Sequence, residues 1–469
     1  MKRFLLLSLV LFSCLVLNAQ EAVAVDINPY KEILTSKTFT FNIWSILKGV
    51  FGMAIIVLIA VAFSADRKKI NWGTVAKALG LQFIIAVSVL LFPAVQVVFE
   101  VMGRAFVSVL DWTKAGSEFL FGPLLDINSF GFIFALQILP TIIFFSALTS
   151  LFFYLGILQK VVWCMGWVLT KFMKLSGAES LSCAGNIFLG QTEAPLMVKE
   201  YIHRMTKSEL MVIMTSGMAT MAGGVLAAYI AMLGNGDRVM ELEFAKHLLS
   251  ASVMAAPGAI AMAKILIPQT EPIDNNVEVS KEKIGKNVLD SISVGATEGL
   301  KLAANIAAML LVFYALIAGV NSILSFISFD AVDSFIANIT NGKYTDLSLE
   351  FFLSYLFYPL IWLTGVPVSD VHLVGRLLGE KVILTELVGY QSLSTMIQSG
   401  AFISSKSIIM ATYVLCGFAN VASIGIIIGG VGGMAPSKRE TLSKYGLKAL
   451  LGATFVALMS AAMVGMFLA

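Results

Sequence analysis

Between Asn186 and Pro195 the chain reads Asn-Ile-Phe-Leu-Gly-Gln-Thr-Glu-Ala-Pro, so Gln191, Thr192 and Glu193 bring an amide, a hydroxyl and a carboxylate together inside apolar sequence. A charge held at mid-bilayer costs about 2.5–3.5 kcal/mol on insertion scales, so Glu193 needs a partner, water or a proton there. Gly190 and Pro195 interrupt regular helix, and Pro195 biases Ala194 toward an extended backbone. Such an interruption is tolerated at membrane depth only against protein or a water-filled cavity. A second hydroxyl and carboxylate, Thr385-Glu386, recur downstream, followed by Gly417-Phe-Ala-Asn-Val-Ala-Ser423. A site made from Gln191, Thr192, Glu193, Glu386, Asn420 and Ser423 suits a polar, mostly uncharged ligand with hydroxyl and amide groups. It contains no arginine or lysine, which argues against phosphate or carboxylate ligands. Phe418 supplies an apolar wall, or simply packs in a core or against lipid. Asn186 and Thr220 offer oxygen ligands, and helices broken at Gly190 and near Gly217 release carbonyls to join them, a set that suits sodium. Ordinary hydrogen bonding between helices accounts for the same two side chains without an ion.

The elements that hold these residues are helices in a membrane. Of 469 residues, 58% are hydrophobic and 13% charged, and the mean hydropathy is +0.88. This composition fits an all-α polytopic membrane protein. Segments of about 20 apolar residues, the length that spans a bilayer, fall near 44–64, 74–99, 130–158, 208–233, 245–267, 300–327, 405–433 and 445–468. That predicts eight transmembrane helices. Residues 100–122, 159–176, 287–299 and 348–366 are amphipathic or interrupted and read as interfacial helices. Two further stretches, 179–202 and 370–402, are apolar around single carboxylates and read as two re-entrant hairpins, the first from the cytoplasm and the second from outside.

Lys2 and Arg3, the apolar run 4–17 and then Asn18-Ala19-Gln20 match a cleavable signal peptide over 1–19. Its removal leaves 20–43 as a periplasmic N-terminal segment. Arg67-Lys68-Lys69 places the end of the first span in the cytoplasm. If the spans alternate, Lys160, Arg204, Lys207, Lys281, Lys283, Lys286, Lys438 and Arg439 share that side. The net charge of +3 comes from short clusters without interleaved aromatics, which excludes a nucleic-acid partner. Four scattered cysteines and only His203, His247 and His372 give no metal or redox cluster. The histidines are expected at interfacial or loop positions.

Gly217-Met-Ala-Thr-Met-Ala-Gly223 and Gly417-Phe-Ala-Asn-Val-Ala-Ser423 share a pattern, and each follows a hairpin bearing Thr-Glu. The order of hairpin, broken helix and closing helix thus occurs twice. Hairpins entering from opposite faces make this an inverted repeat, the arrangement in which transporters hold substrate near the midplane. The predicted organisation is scaffold and interfacial helices over 44–178, transport repeat 1 over 179–267, a cytoplasmic loop with a scaffold and an interfacial helix over 268–369, and transport repeat 2 over 370–469.

Gly190-Gln-Thr-Glu-Ala-Pro195, Thr385-Glu-Leu-Val-Gly-Tyr390 and Gly417-Phe-Ala-Asn-Val-Ala-Ser-Ile424, in that order, resemble the signature stretches of the concentrative nucleoside transporters. The resemblance runs from about residue 40 to the C-terminus. It implies an eight-helix core that assembles as a homotrimer in the bacterial inner membrane. Gln191, Thr192 and Glu193, with Val225, are implied to contact the nucleobase, and Glu386, Asn420 and Ser423 the ribose, with Phe418 alongside. Sodium, as coupling ion, is implied to bind the side chains of Asn186 and Thr220 and the main-chain carbonyls of Leu189 and Met221. Thr385 stands where many members have asparagine.

The expected function is a sodium-coupled nucleoside symporter, with a proton-coupled symporter or a channel for small polar solutes as alternatives. A membrane enzyme using Glu193 and Glu386 as an acid pair is disfavoured, because the spans hold no serine–histidine arrangement or metal cluster.

Overall fold

The computed structural model describes residues 42–130, 133–274, 285–340 and 344–468. The predicted signal peptide, all but the last two residues of the segment over 20–43, and Lys281 and Lys283 lie outside the described residues. Those described are helical throughout, with no strand among them. Eight of their helices are long and apolar enough to cross a membrane.

The first three long helices are α1 (Ile43–Ala62), α2 (Trp72–Leu91) and α3 (Pro93–Phe121). α4 (Leu139–Tyr154) and α5 (Ile157–Met173) follow, the latter bounded by Gly156 and Lys174 at positive φ. The first hairpin begins with α6 (Gly177–Gly185) and continues irregularly to residue 206. Then come α7 (Lys207–Ala219), α8 (Gly223–Gly234) and α9 (Arg238–Leu266). The second half holds α10 (Val288–Ile327), α11 (Asp330–Ile339), α12 (Leu349–Thr364), α13 (Val371–Ile383) and α14 (Glu386–Gln398). It closes with α15 (Ser405–Leu415), α16 (Val421–Met434) and α17 (Arg439–Gly465).

The eight long helices are not the eight segments predicted. The stretch 405–433 is the predicted broken helix, in two short pieces separated at Cys416–Asn420, and the remaining helix of membrane length is α3, which continues from α2. Residues 100–122 are therefore part of a 29-residue helix rather than a separate interfacial one. Three of its charges are paired: Arg104 with Glu100 at 2.6 Å and Asp111 with Arg238 at 3.0 Å. Gln82 of α2 faces Gly258 of α9, Gly103 of α3 faces Ala245, and Asp111 meets Arg238. The chain thus continues in one direction along α9 through Phe92 and does not turn back at Pro93.

Residues 287–299 likewise are no separate element. They form one 40-residue helix, α10, with the predicted span 300–327. The small residues that make this stretch look polar serve close packing. A Cβ on Gly295 would lie 2.8 Å from Ala147 Cα, one on Gly299 2.8 Å from Ile143 Cα, and Ser291 Oγ donates to the Ser150 carbonyl at 2.9 Å. His247 and His372 also depart from expectation, since both are buried in helices.

The core lies around α7, α8, α9 and α17. In α9, 94% of the most apolar stretch is buried, while in α10 none is, so α10 shows its apolar surface outward. Each hairpin is anchored at its base by a buried carboxylate. Glu179 caps α6 through Ser176 and pairs with Lys264 of α9 at 2.7 Å, and Lys264 also donates to Ser208 at the start of α7 at 3.2 Å. At the second hairpin Asp370 accepts from the amides of Ile403 and Ser404, just before α15.

The two interrupted helices meet at their interruptions. Gly417 has φ +86°, and a Cβ there would lie 2.4 Å from the carbonyl group of Ala219, the last residue of α7. Gly217, its counterpart in the sequence pattern, lies inside α7, where its missing side chain admits Gln191. The first break therefore falls at Thr220–Ala222, not at Gly217. Gly417→Ala combines left-handed strain with overlap against backbone, a loss of about 2–5 kcal/mol. We expect it to lower the melting temperature of the solubilised protein sharply, whereas Gly425→Ala, where a Cβ meets nothing within 4 Å, leaves it unchanged.

Candidate functional site

The breaks bring residues distant in sequence onto one buried carboxylate. Glu386 opens α14 directly after its N-cap Thr385, whose hydroxyl accepts from Val388 N at 3.4 Å. Threonine here performs the capping that asparagine would perform equally well. One Glu386 oxygen accepts from the Tyr229 hydroxyl at 3.0 Å and the other from Asn420 Nδ2 at 2.7 Å. Asn420 is the N-cap of α16, its Oδ1 accepting from Ser423 N at 2.8 Å. The Ser423 hydroxyl in turn accepts from Gln191 Nε2 at 3.4 Å. Gln191, Glu386, Asn420 and Ser423, four of the predicted site residues, are thus joined and buried. Gln191 Oε1 is buried with no hydrogen-bond partner among the described residues.

Thr192, Glu193 and Val225 line a neighbouring cavity of about 270 Å³, with Phe145 of α4 and Glu298 of α10 on its far wall. That volume approaches the lower end of small-ligand sites, about 300 Å³. Glu193 is exposed to this space and accepts from Gly190 N at 3.2 Å, while the Thr192 methyl is seated on Gly430 of α16. Ala194 is not extended as predicted. Glu193–Leu196 form a single helical turn, and Pro195 sits in its first turn, where a missing N–H costs nothing. Phe418 lies half-buried in the second break. A larger cavity of about 740 Å³ lies among Asp111, Lys114, Glu118, Arg238 and Glu241 and touches none of the predicted residues.

The predicted ion ligands form a third group. Asn186 is the C-cap of α6, and its Nδ2 donates to Ser216 Oγ at 2.9 Å. Thr220 Oγ1 donates to the Ser216 carbonyl at 2.8 Å. Asn186 Oδ1, the lone pairs of which would suit a hard cation, is buried with no partner among the described residues. Leu189 and Met221 are buried close by in sequence, and the Phe188 carbonyl accepts from Gly223 N at 2.9 Å, tying the hairpin to the break.

Three residues of this region were not foreseen from the sequence. Tyr229 bonds Glu386 and stacks on Tyr390 with ring centroids 4.2 Å apart. Tyr390 donates to the Thr412 carbonyl at 3.0 Å. Lys381 is fully buried in the second hairpin and donates to the carbonyls of Val414 and Cys416 at 3.0 and 2.6 Å. Tyrosines inside otherwise apolar helices were the available signal for the first two, since a buried hydroxyl needs a partner.

A bundle of membrane-length helices with two of them broken around a buried polar cluster defines a transporter, not an enzyme. Family models described as Na+ dependent nucleoside transporter N-terminus, nucleoside recognition, and Na+ dependent nucleoside transporter C-terminus match residues 51–124, 135–236 and 247–465. An uncharacterized transporter of Haemophilus influenzae is 40% identical over 90% of this chain and 98% of its own length. Sodium/nucleoside cotransporter 1 of Rattus norvegicus is 38% identical over 88% of this chain and 62% of its own, so the chain spans less than two-thirds of that protein. CNTnw in an inward-facing substrate-bound state superposes with a TM-score of 0.82 at 38% identity, covering 90% of this chain and 99% of that one. The chain belongs to the Na+ dependent nucleoside transporter family.

Removing the Tyr229 hydroxyl takes one donor from Glu386 and leaves the ring stack intact. We expect Tyr229→Phe to raise the KM for uptake by about ten- to a hundredfold, the equivalent of a net hydrogen bond to a charged group, with normal membrane insertion. Initial-rate uptake in vesicles measures it.

Proposed function

We propose that the protein is a secondary active symporter that imports nucleosides across a bacterial inner membrane, driven by the inward sodium gradient. The observation that carries the reading is the juxtaposition of two groups at one hairpin: Gln191 joined to the Glu386–Asn420–Ser423 cluster, and Asn186, five residues earlier, holding an unpartnered oxygen beside Ser216 and Thr220. In this reading Gln191, Thr192, Glu193 and Val225 contact the base. Glu386, Asn420 and Ser423 hold the ribose hydroxyls, and Phe418 packs beside the sugar. Sodium binds Asn186 and Thr220 through side chains and Leu189 and Met221 through carbonyls. Because one hairpin contributes to both sites, ion and nucleoside favour the same conformation, which is the requirement for coupling. Movement of the hairpin-bearing unit against the α4–α10 scaffold alternates access.

The energetics suffice. One sodium ion crossing about 100 mV releases roughly 2.3 kcal/mol, and a tenfold gradient adds about 1.4, which sustains a nucleoside gradient of about a few hundredfold. The outward apolar face of α10 supports a homotrimer, and the charge pattern supports a periplasmic mature N-terminus after signal removal.

The test is uptake of radiolabelled uridine and adenosine into proteoliposomes under an inward sodium gradient, an inward proton gradient, or neither. Accumulation above equilibrium with sodium alone is expected; accumulation driven by protons overturns the ion assignment, and equilibration without a gradient identifies a channel. Glu193→Gln and Glu386→Gln are each expected to cut uptake at least tenfold while inserting normally, and wild-type rates in either reject the site. Asn186→Ala is expected to raise the half-saturating sodium concentration more than it alters the uridine-to-adenosine ratio.

A further inference from the structure

The two repeats end their first half-helices differently. Aligning Gly217 with Gly417 sets Ser216 against Cys416 and Met214 against Val414. In repeat 1 the hairpin residue Asn186 reaches Ser216, Thr220 closes the Ser216 carbonyl, and Asn186 Oδ1 is left as an acceptor without a donor. In repeat 2 the hairpin residue that reaches the corresponding place is Lys381, with its ammonium on the carbonyls of Val414 and Cys416. The first arrangement presents oxygens to a cation; the second contains one.

We propose that Lys381 is a built-in cation, standing in repeat 2 where repeat 1 binds its coupling ion, and that it positions the second break so that Asn420 and Glu386 engage the nucleoside. The inference rests on the sodium-symport reading above. A helix C-terminus carries orphan carbonyls and partial negative charge, and both are met by a cation. Lysine is the compact point charge among the basic side chains and the closest of them to an alkali ion in its demands. Lys381 has no ion-pair partner among the described residues, so its charge is committed to main-chain oxygens, as an ion's would be. Gly417, one residue beyond Cys416, carries the positive φ that turns the chain toward Asn420. Fixing the Cys416 carbonyl therefore fixes where Asn420 begins α16. An ammonium carried by the chain itself also means that this end needs no ion from solution, so only repeat 1 answers to the gradient.

The test compares wild type, Lys381→Ala and Lys381→Met in proteoliposome uptake as a function of sodium concentration. Lys381→Ala is expected to lose at least tenfold of its uptake at sodium levels that saturate the wild type. It should recover in part with added butylammonium or with much higher sodium, and its sodium curve should become steeper than the wild type's. Lys381→Met fills the space with an apolar stem and is expected to be monodisperse in detergent, with uptake lost and rescued by neither cation. A structural residue would not steepen the sodium curve. Wild-type uptake in either variant, or a loss in Lys381→Ala that no cation restores, overturns the proposal. Misfolding of both variants also overturns it, because Lys381 would then be a requirement of the fold. Absence of sodium-driven uptake by the wild type rejects the symport reading itself, and this inference falls with it.

Discussion

The contact between Gly417 and the carbonyl end of Ala219 is the constraint around which the rest is arranged. Two helices are interrupted at this crossing, and interrupted backbone inside a membrane needs partners for every freed amide and carbonyl. Those partners are drawn from the hairpins: Phe188 from the first, Lys381 from the second. The hairpins in turn must be held, and Glu179 and Asp370 hold them, each tied to the start of the half-helix it serves. The polar cluster on Glu386 exists because all four chain segments are brought to one point.

The same geometry explains why one carboxylate can serve a ligand without disrupting the core. Glu386 is bonded by Tyr229 from α8 and by Asn420 from α16, two elements distant in sequence. A shift of α8 relative to α16 therefore alters the bonding of a single side chain.

Much of this was legible in the sequence, and for physical reasons. Carboxylates in apolar surroundings are conspicuous because lipid does not tolerate them unaided, which is how Glu193 and Glu386 stand out. Span number follows from apolar length, and eight was read correctly. The break at Cys416–Asn420 was legible from the Gly417 pattern; what length and composition do not distinguish is a kinked continuation such as α3 from an interfacial helix. The motif glycines look alike in sequence, yet Gly217 makes room for Gln191 and Gly417 makes a turn. That difference is tertiary. Lys381 escaped notice because a basic residue in hairpin sequence reads as a charge facing solvent, whereas its partners are carbonyls, which every residue possesses.

One dimension of the scaffold has a mechanical consequence. α10 contains 40 residues, about 60 Å of rod at 1.5 Å per residue, against a hydrocarbon layer of about 30 Å. It must lean steeply, protrude, or both. Gly295 and Glu298, on the cavity wall, ride on the same uninterrupted rod as the outward apolar residues of α10. A rotation of five degrees displaces the end of such a rod by about 5 Å. A tilt of α10 against its neighbours, which set its lean, therefore changes the width of the space beside Glu193 as well.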